Sequence, residues 1–169
     1  MLTQNIGTCL YVAAVIVLCF TLGSSPLCLN ESSSIPMGLY WRQKQATNVA
    51  GLCLPKETVQ RGVALGVELL KGECANGYQP ILKTIVRATP EMPITLDENG
   101  FALGAARLRN TKPKLFAKIG VPLEHAEFRT YTGGLFAIST YSKDSWDSRY
   151  YGRIPDDSIL FYVKPVLTF

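Results

Sequence analysis

The chain is poor in the residues from which metal centres and histidine-based active sites are built. It has one histidine, His125, and its five cysteines never fall in a CxxC pair. A zinc site draws on clustered Cys and His ligands at short spacings, so no metal is expected. A histidine triad would have only His125 to use, with no supporting pattern around it. The basic residues are scattered: 17 Lys and Arg against 13 Asp and Glu leave a net charge of +4 with no dense basic stretch. That argues against a nucleic-acid partner. Internal repeats and low-complexity tracts are absent as well.

Charge is missing altogether from residues 6–22, which are rich in Val, Leu, Ile, Ala and Cys. At about 17 residues the run reaches the lower limit for a helix that spans a bilayer. A cleaved leader is the rival reading, since leader cores are short and Gly23, Ser24 and Ser25 follow. Two features favour a retained anchor: no good small-x-small cleavage pair lies ahead of Pro26, and the residues before the run carry no Lys or Arg. Arg42 and Lys44 follow the run with nothing basic ahead of it. Loop charge alone would therefore leave the rest of the chain on the cytoplasmic side. With 169 residues there is room for an anchor, residues 1–28, and one further domain, residues 29–169.

What is present begins with Ser32-Ser33-Ser34-Ile35-Pro36-Met37-Gly38-Leu39-Tyr40. Pro36 fixes its own φ and biases Ile35 towards an extended conformation. Gly38 permits a close backbone approach. A hydroxyl two residues before that proline is expected on a stiff, extended edge. A serine-rich linker leaving an anchor is the plainer alternative.

Further on, 57–70 reads as a short helix, because Val59, Val63, Val67 and Leu70 recur at helical spacing. Gly62 and Gly66 weaken it. The remainder reads as mainly β. A β-branched run covers 81–86, and 94–103 forms two short strands around Asn99-Gly100. The stretch 105–127 is an irregular surface excursion. Residues 128–140, broken at Gly133-Gly134, and 159–163 are again strand-like. Cys9 and Cys19 sit in the apolar run as small hydrophobes, with Cys28 just beyond it. A bridge between Cys53 and Cys74 would close a loop of about 20 residues and stabilise by about 3 kcal/mol in an oxidising compartment. Two free buried thiols are the alternative.

Two further places carry chemistry. In a strand, Ile81, Lys83 and Ile85 share one face, which sets the lysine between two isoleucines. Desolvation there disfavours the ammonium and lowers its pKa. A lysine snorkelling to water is the commoner outcome. In Ser145-Trp146-Asp147-Ser148-Arg149-Tyr150-Tyr151-Gly152, Asp147 and Arg149 can share a face on a strand or turn, as an ion pair above packed aromatics.

Taken in order, these stretches resemble the bacterial type I signal peptidase clan, most closely its conjugative-transfer branch, the TraF-type pilin-processing peptidases. The resemblance runs from the anchor through Ser34-Ile35-Pro36-Met37-Gly38, Cys53 and Cys74, and Leu82-Lys83-Thr84-Ile85-Val86 to Asp147-Ser148-Arg149. It implies a coiled β-sheet domain with one short helix behind a single transmembrane helix. It also implies a Ser–Lys dyad peptidase on the periplasmic side of the bacterial inner membrane. Ser34 would be the nucleophile and Lys83 its general base. Ser145 would orient the lysine, and Asp147 would orient the dyad or pair with Arg149. The Ser34 amide with the Ser32 hydroxyl would form the oxyanion hole, and Pro36, Gly38 and Arg149 would be structural. A Cys53–Cys74 disulfide belongs to the same picture. No cofactor is implied.

The expected partners are a lipid bilayer and a membrane-tethered precursor, a pilin in the first instance, cut by a monomer. Ser34 lies about 12 residues past the apolar run, so even an extended tether keeps it within about 40 Å of the bilayer. A general signal peptidase and a non-catalytic assembly factor on the same fold are the competing readings. In two respects the sequence departs from the family: Thr84 rather than Arg follows the lysine, and Glu91-Met92 rather than Gly-Asp follow Pro90.

Overall fold

A computed structural model describes residues 26–169. The expected anchor, residues 1–28, lies almost wholly outside them, as do Cys9 and Cys19. Among the described residues no helix is long and apolar enough to cross a membrane.

The architecture is mainly β, as expected. Ten strands follow one another among the described residues: β1 (Leu27–Asn30), β2 (Gly38–Gln43), β3 (Val49–Leu52), β4 (Ile81–Ala88), β5 (Ile94–Asp97), β6 (Gly100–Leu103), β7 (Ala106–Arg107), β8 (Arg129–Tyr131), β9 (Gly134–Ile138) and β10 (Ile159–Thr168). Helix α1 (Lys56–Ala64) separates β3 from β4, and the single turn α2 (Ser148–Tyr151) follows β9. A curled six-stranded sheet runs β1-β2-β10-β3-β4-β9, and a four-stranded sheet runs β7-β6-β5-β8. All these pairs are antiparallel.

Several local outcomes differ from the sequence reading. Helix α1 stops at Ala64 because Gly66 adopts φ +81° and its amide turns back to the Val63 carbonyl. Its buried side is Val59 and Gly62, whereas Val63 is exposed. In the β5–β6 hairpin Asp97 pairs with Gly100, so Glu98 and Asn99 make the turn, one residue earlier than expected. The run 128–140 splits between the two sheets at Gly133-Gly134. The last strand extends to Thr168; Pro165 is tolerated because the register with β2 shifts between Pro165 and Leu167.

Strand β9 separates two cores. Leu135 and Ala137 pack with Ala50, Leu52, Leu54 and Val59 on one face, while Phe136 and Ile138 pack with Ile94, Leu96, Phe101 and Tyr131 on the other. A third cluster, Ile35, Tyr40 and Val163, lies under the β1–β2 connection. At its end Gly38 meets β10 so closely that a Cβ would fall 2.0 Å from the Leu167 carbonyl oxygen, which leaves room for glycine alone.

Candidate active site

Ser34 stands in the connection between β1 and β2. The expected extended edge is instead a turn at Ser33-Ser34. Asn30, buried at the end of β1, builds it. Its Nδ2 donates to the carbonyls of Ser32, Ile35 and Pro36 at 2.9, 3.2 and 3.0 Å. The Pro36 carbonyl also accepts from the Tyr40 hydroxyl. Ile35 is sunk into the third core, so the residue after Ser34 is an anchor. Ser32 closes the turn from its other side, its hydroxyl donating to Asn30 Oδ1 at 2.8 Å.

Lys83 sits in the middle of β4 opposite Ala50 and is only 4% exposed. Ile81 and Ile85 lie on its face and pack against the first core. Its Nζ donates to Ser34 Oγ at 2.5 Å and to Ser145 Oγ at 2.6 Å. The two hydroxyl oxygens are 3.4 Å apart. Burial lowers the Lys83 pKa to about 8; the Asp147 carboxylate opposes that shift and the Arg149 guanidinium adds to it.

Asp147 and Arg149 hold the far wall. Asp147 caps α2 by accepting the Arg149 amide at 3.1 Å, so the short Asp-Ser-Arg spacing yields a helical turn. The Arg149 guanidinium then folds back on the same carboxylate, Nε to Oδ1 at 2.8 Å and Nη2 to Oδ2 at 2.9 Å. Both side chains are fully buried. Arg149 also donates to the carbonyls of Asn110, Lys112, Lys143, Ser142 and Ser145. One guanidinium therefore ties the irregular 105–127 excursion to the loop that carries Ser145.

The three polar side chains Ser34, Lys83 and Ser145 open onto a cleft of about 770 Å³. Residues 65–70 and 78–82 form one of its sides, and Lys114, Phe116 and Leu123 of the excursion contribute to another. The Cys53–Cys74 disulfide is formed, with Cα atoms 5.5 Å apart, which decides between the two alternatives for these cysteines. It fastens the segment before β4 to the end of β3. Asn76 adds a bond to the Leu54 carbonyl. Cys28 is the free cysteine among the described residues. His125 lies away from this cluster, stacked on Phe128 with Nε2 2.7 Å from the Lys114 carbonyl oxygen.

Two residues at the site carry no signal in the sequence reading. Asn30 is an ordinary polar residue beside a serine run, and only the fold shows three carbonyls converging on it. Ser139 directly follows β9 and is fully buried. Its amide donates to Asp147 Oδ2 at 3.0 Å, and its hydroxyl donates to the Ser34 carbonyl at 2.6 Å.

Comparison with known proteins finds relatives over most of the chain. The plasmid transfer protein TraF of Escherichia coli is 27% identical over 146 residues, covering 83% of this chain and 82% of that protein. The conjugal transfer protein TraF of Agrobacterium tumefaciens (strain 15955) is 29% identical over 177 residues, covering 96% and 93%. A probable conjugal transfer protein TraF of Sinorhizobium fredii is 26% identical over 157 residues, covering 83% and 77%. The chain has TraF-named relatives. No family model and no solved structure matches it.

Proposed function

We propose that the chain is a Ser–Lys endopeptidase that processes a secreted or membrane-tethered precursor during conjugal transfer. The observation that carries this reading is the buried Lys83 amine, 2.5 Å from Ser34 Oγ on the floor of an open cleft. A lysine at such a position has little structural use, because two hydroxyls are its only hydrogen-bond partners among the described residues. As a base it has one. With a pKa of about 8, roughly half of it is neutral near pH 8.

In the proposed cycle the neutral amine accepts the Ser34 hydroxyl proton while Oγ attacks the scissile carbonyl. Donation of an N–H to Ser145 Oγ keeps the amine's lone pair aimed at Ser34. The oxyanion would be received by the Ser34 amide, which has no hydrogen-bond partner among the described residues. Ser32 would add a second donor only by turning its hydroxyl away from Asn30. Collapse of the intermediate breaks the C–N bond, and the Lys83 ammonium returns the proton to the leaving amine. Water then hydrolyses the Ser34 ester by the same route in reverse.

The conjugal setting is taken from the names of the relatives. The inner-membrane location, the periplasmic placement of the cleft and a pilin as substrate extend the same reading. The disulfide agrees with an oxidising compartment. The test is co-expression of the full chain with a tagged pilin precursor of a conjugative system. Wild type is expected to shorten the precursor; Ser34→Ala, Lys83→Ala and Lys83→Arg are expected to leave it intact, because a guanidinium does not act as a base near neutral pH. Cleavage by Lys83→Arg would exclude the dyad, and a precursor untouched by wild type would favour an assembly factor.

A further inference from the structure

Four hydrogen bonds hold the nucleophile turn to the β1–β2 side: Asn30 donates to the carbonyls of Ser32, Ile35 and Pro36, and the Tyr40 hydroxyl donates to Pro36 again. The Ser34 carbonyl is held from the opposite direction. Its partner is the hydroxyl of Ser139, which lies at the end of β9, next to the strand that carries Lys83. The direction of that bond is fixed by the other contacts of the same oxygen. Ser139 Oγ accepts the amides of Ser142 at 3.0 Å and Tyr141 at 3.3 Å, so its own proton points to the Ser34 carbonyl, 2.6 Å away. The Ser139 amide in turn donates to Asp147 Oδ2 at 3.0 Å.

We infer that Ser139 is a positioning residue, transmitting the fixed location of the buried Asp147–Arg149 pair to the backbone of Ser34 and so keeping Oγ against the Lys83 amine. This rests on the peptidase reading for its consequence, but the coupling itself is a property of the fold. Without the hydroxyl, the turn stays fastened to β1 and β2 while its far side, the side facing Lys83, is released. The Ser34 side chain then drifts relative to an amine that β4 holds in place. Asn30, Ile35 and the cleft walls are untouched, so binding of a precursor is little affected while the chemical step is slowed.

The experiment uses the full chain in detergent and reads Lys83 directly, by the pH titration of its ¹³Cε signal in lysine-labelled protein. Four proteins are compared: wild type, Ser34→Ala, Ser139→Ala and the double variant. Ser139→Ala is expected to move the Lys83 midpoint in the same direction as Ser34→Ala, and the double variant to move it no further than Ser34→Ala alone, as two residues acting through one contact require. A midpoint unmoved by Ser139→Ala, or shifts that simply add, would overturn the inference. Because alanine also orphans the Ser142 and Tyr141 amides, Ser139→Cys repeats the titration with a sulfur that still accepts but donates weakly. It is expected to melt like wild type yet shift the midpoint as alanine does. On a precursor that wild type cleaves, both variants are expected to lower kcat by roughly 10- to 100-fold with KM within about twofold. Loss confined to KM would count against Ser139 as a positioning residue. Should wild type cleave nothing, the peptidase reading falls and the titration still decides this one.

Discussion

Two cations are buried at the site, Lys83 and Arg149, and they are treated in opposite ways. Arg149 is surrounded by acceptors: both oxygens of Asp147 and five backbone carbonyls. Among the described residues Lys83 has two hydroxyl oxygens and no carboxylate in hydrogen-bond contact. Desolvation opposes both charges, and only the first is compensated. The arginine therefore stays charged and fixes geometry. The lysine is left with its pKa lowered to about 8, available for proton transfer near neutral pH. Asp147 makes the contrast possible by spending its oxygens on Arg149, the α2 amide and Ser139, so that only its more distant field reaches Lys83.

The largest effect should come from attacking the compensated charge. Arg149→Ala leaves several carbonyls without partners and a buried carboxylate with no countercharge, held only by the amides of residues 139 and 149, and is expected to destabilise by about 4 kcal/mol or to yield insoluble protein. Arg149→Lys should recover little of that loss, because an ammonium cannot fork across the carboxylate. Denaturant unfolding of both variants is the measurement. A soluble Arg149→Ala protein within about 1 kcal/mol of wild type would break the comparison, since the pair would then hold nothing together.

Next in size is the disulfide, which belongs to the lysine's side of the cleft. Cys53 and Cys74 are 21 residues apart, and the closed loop leads straight into β4. The Cys53→Ser, Cys74→Ser double variant is expected to lose about 3 kcal/mol. Hydrogen exchange should rise in residues 65–80 while the amides of Ser139 and Arg149, held by Asp147, keep their protection. Equal loss of protection on both sides would mean that the two halves of the site are not separately braced.

How much of this was legible beforehand follows the same division. Ser34, Lys83, Asp147 and Arg149 stand out in their local stretches, Ser145 enters only through the family resemblance, and the fold gathers all five. The β-branched 81–86 run and the turn near Asn99 were legible because local propensity and long-range pairing agree there. Of strand β10 only 159–163 was legible; its extension to Thr168 and its place between β2 and β3 depend on partners more than a hundred residues away. The turn at Ser33-Ser34 is not legible locally, because Pro36 favours an extended chain and the Asn30 bonds that bend it exist only in the fold. Ser139 had no signal of its own: its partners are a carbonyl and a carboxylate that only the folded chain brings near.

The third test removes the uncompensated charge. Between pH 8 and about 10.5 the unfolded chain binds the Lys83 proton and the folded chain does not, so this group makes stability rise with pH across that window. Below pH 8 both states bind it and the penalty is constant. Lys83→Met deletes the penalty and two hydrogen bonds, a net gain of about 2 kcal/mol at pH 7 that shrinks towards pH 10. Urea unfolding at the two pH values is the check. A loss at pH 7 would show that Lys83 is compensated after all.

The smallest effect is expected at a third cation, which separates burial from geometry. Arg87 and Asp156 make a forked pair much like that of Arg149 and Asp147, with Nη2 2.6 Å from Oδ1 and Nη1 3.4 Å from Oδ2. Here both side chains face water, 53% and 68% exposed. Nothing was desolvated to form the pair, so little is left unbalanced when one partner goes. Arg87→Ala is expected to change stability by less than about 0.5 kcal/mol, and the change should vanish in 0.5 M salt, where screening acts over a few ångströms. Arg149→Ala should keep its full cost in that salt, because ions do not reach a side chain with no exposed surface. If the two variants respond alike to salt, forked geometry and not burial sets the cost, and the distinction between a compensated and an uncompensated interior charge loses its basis.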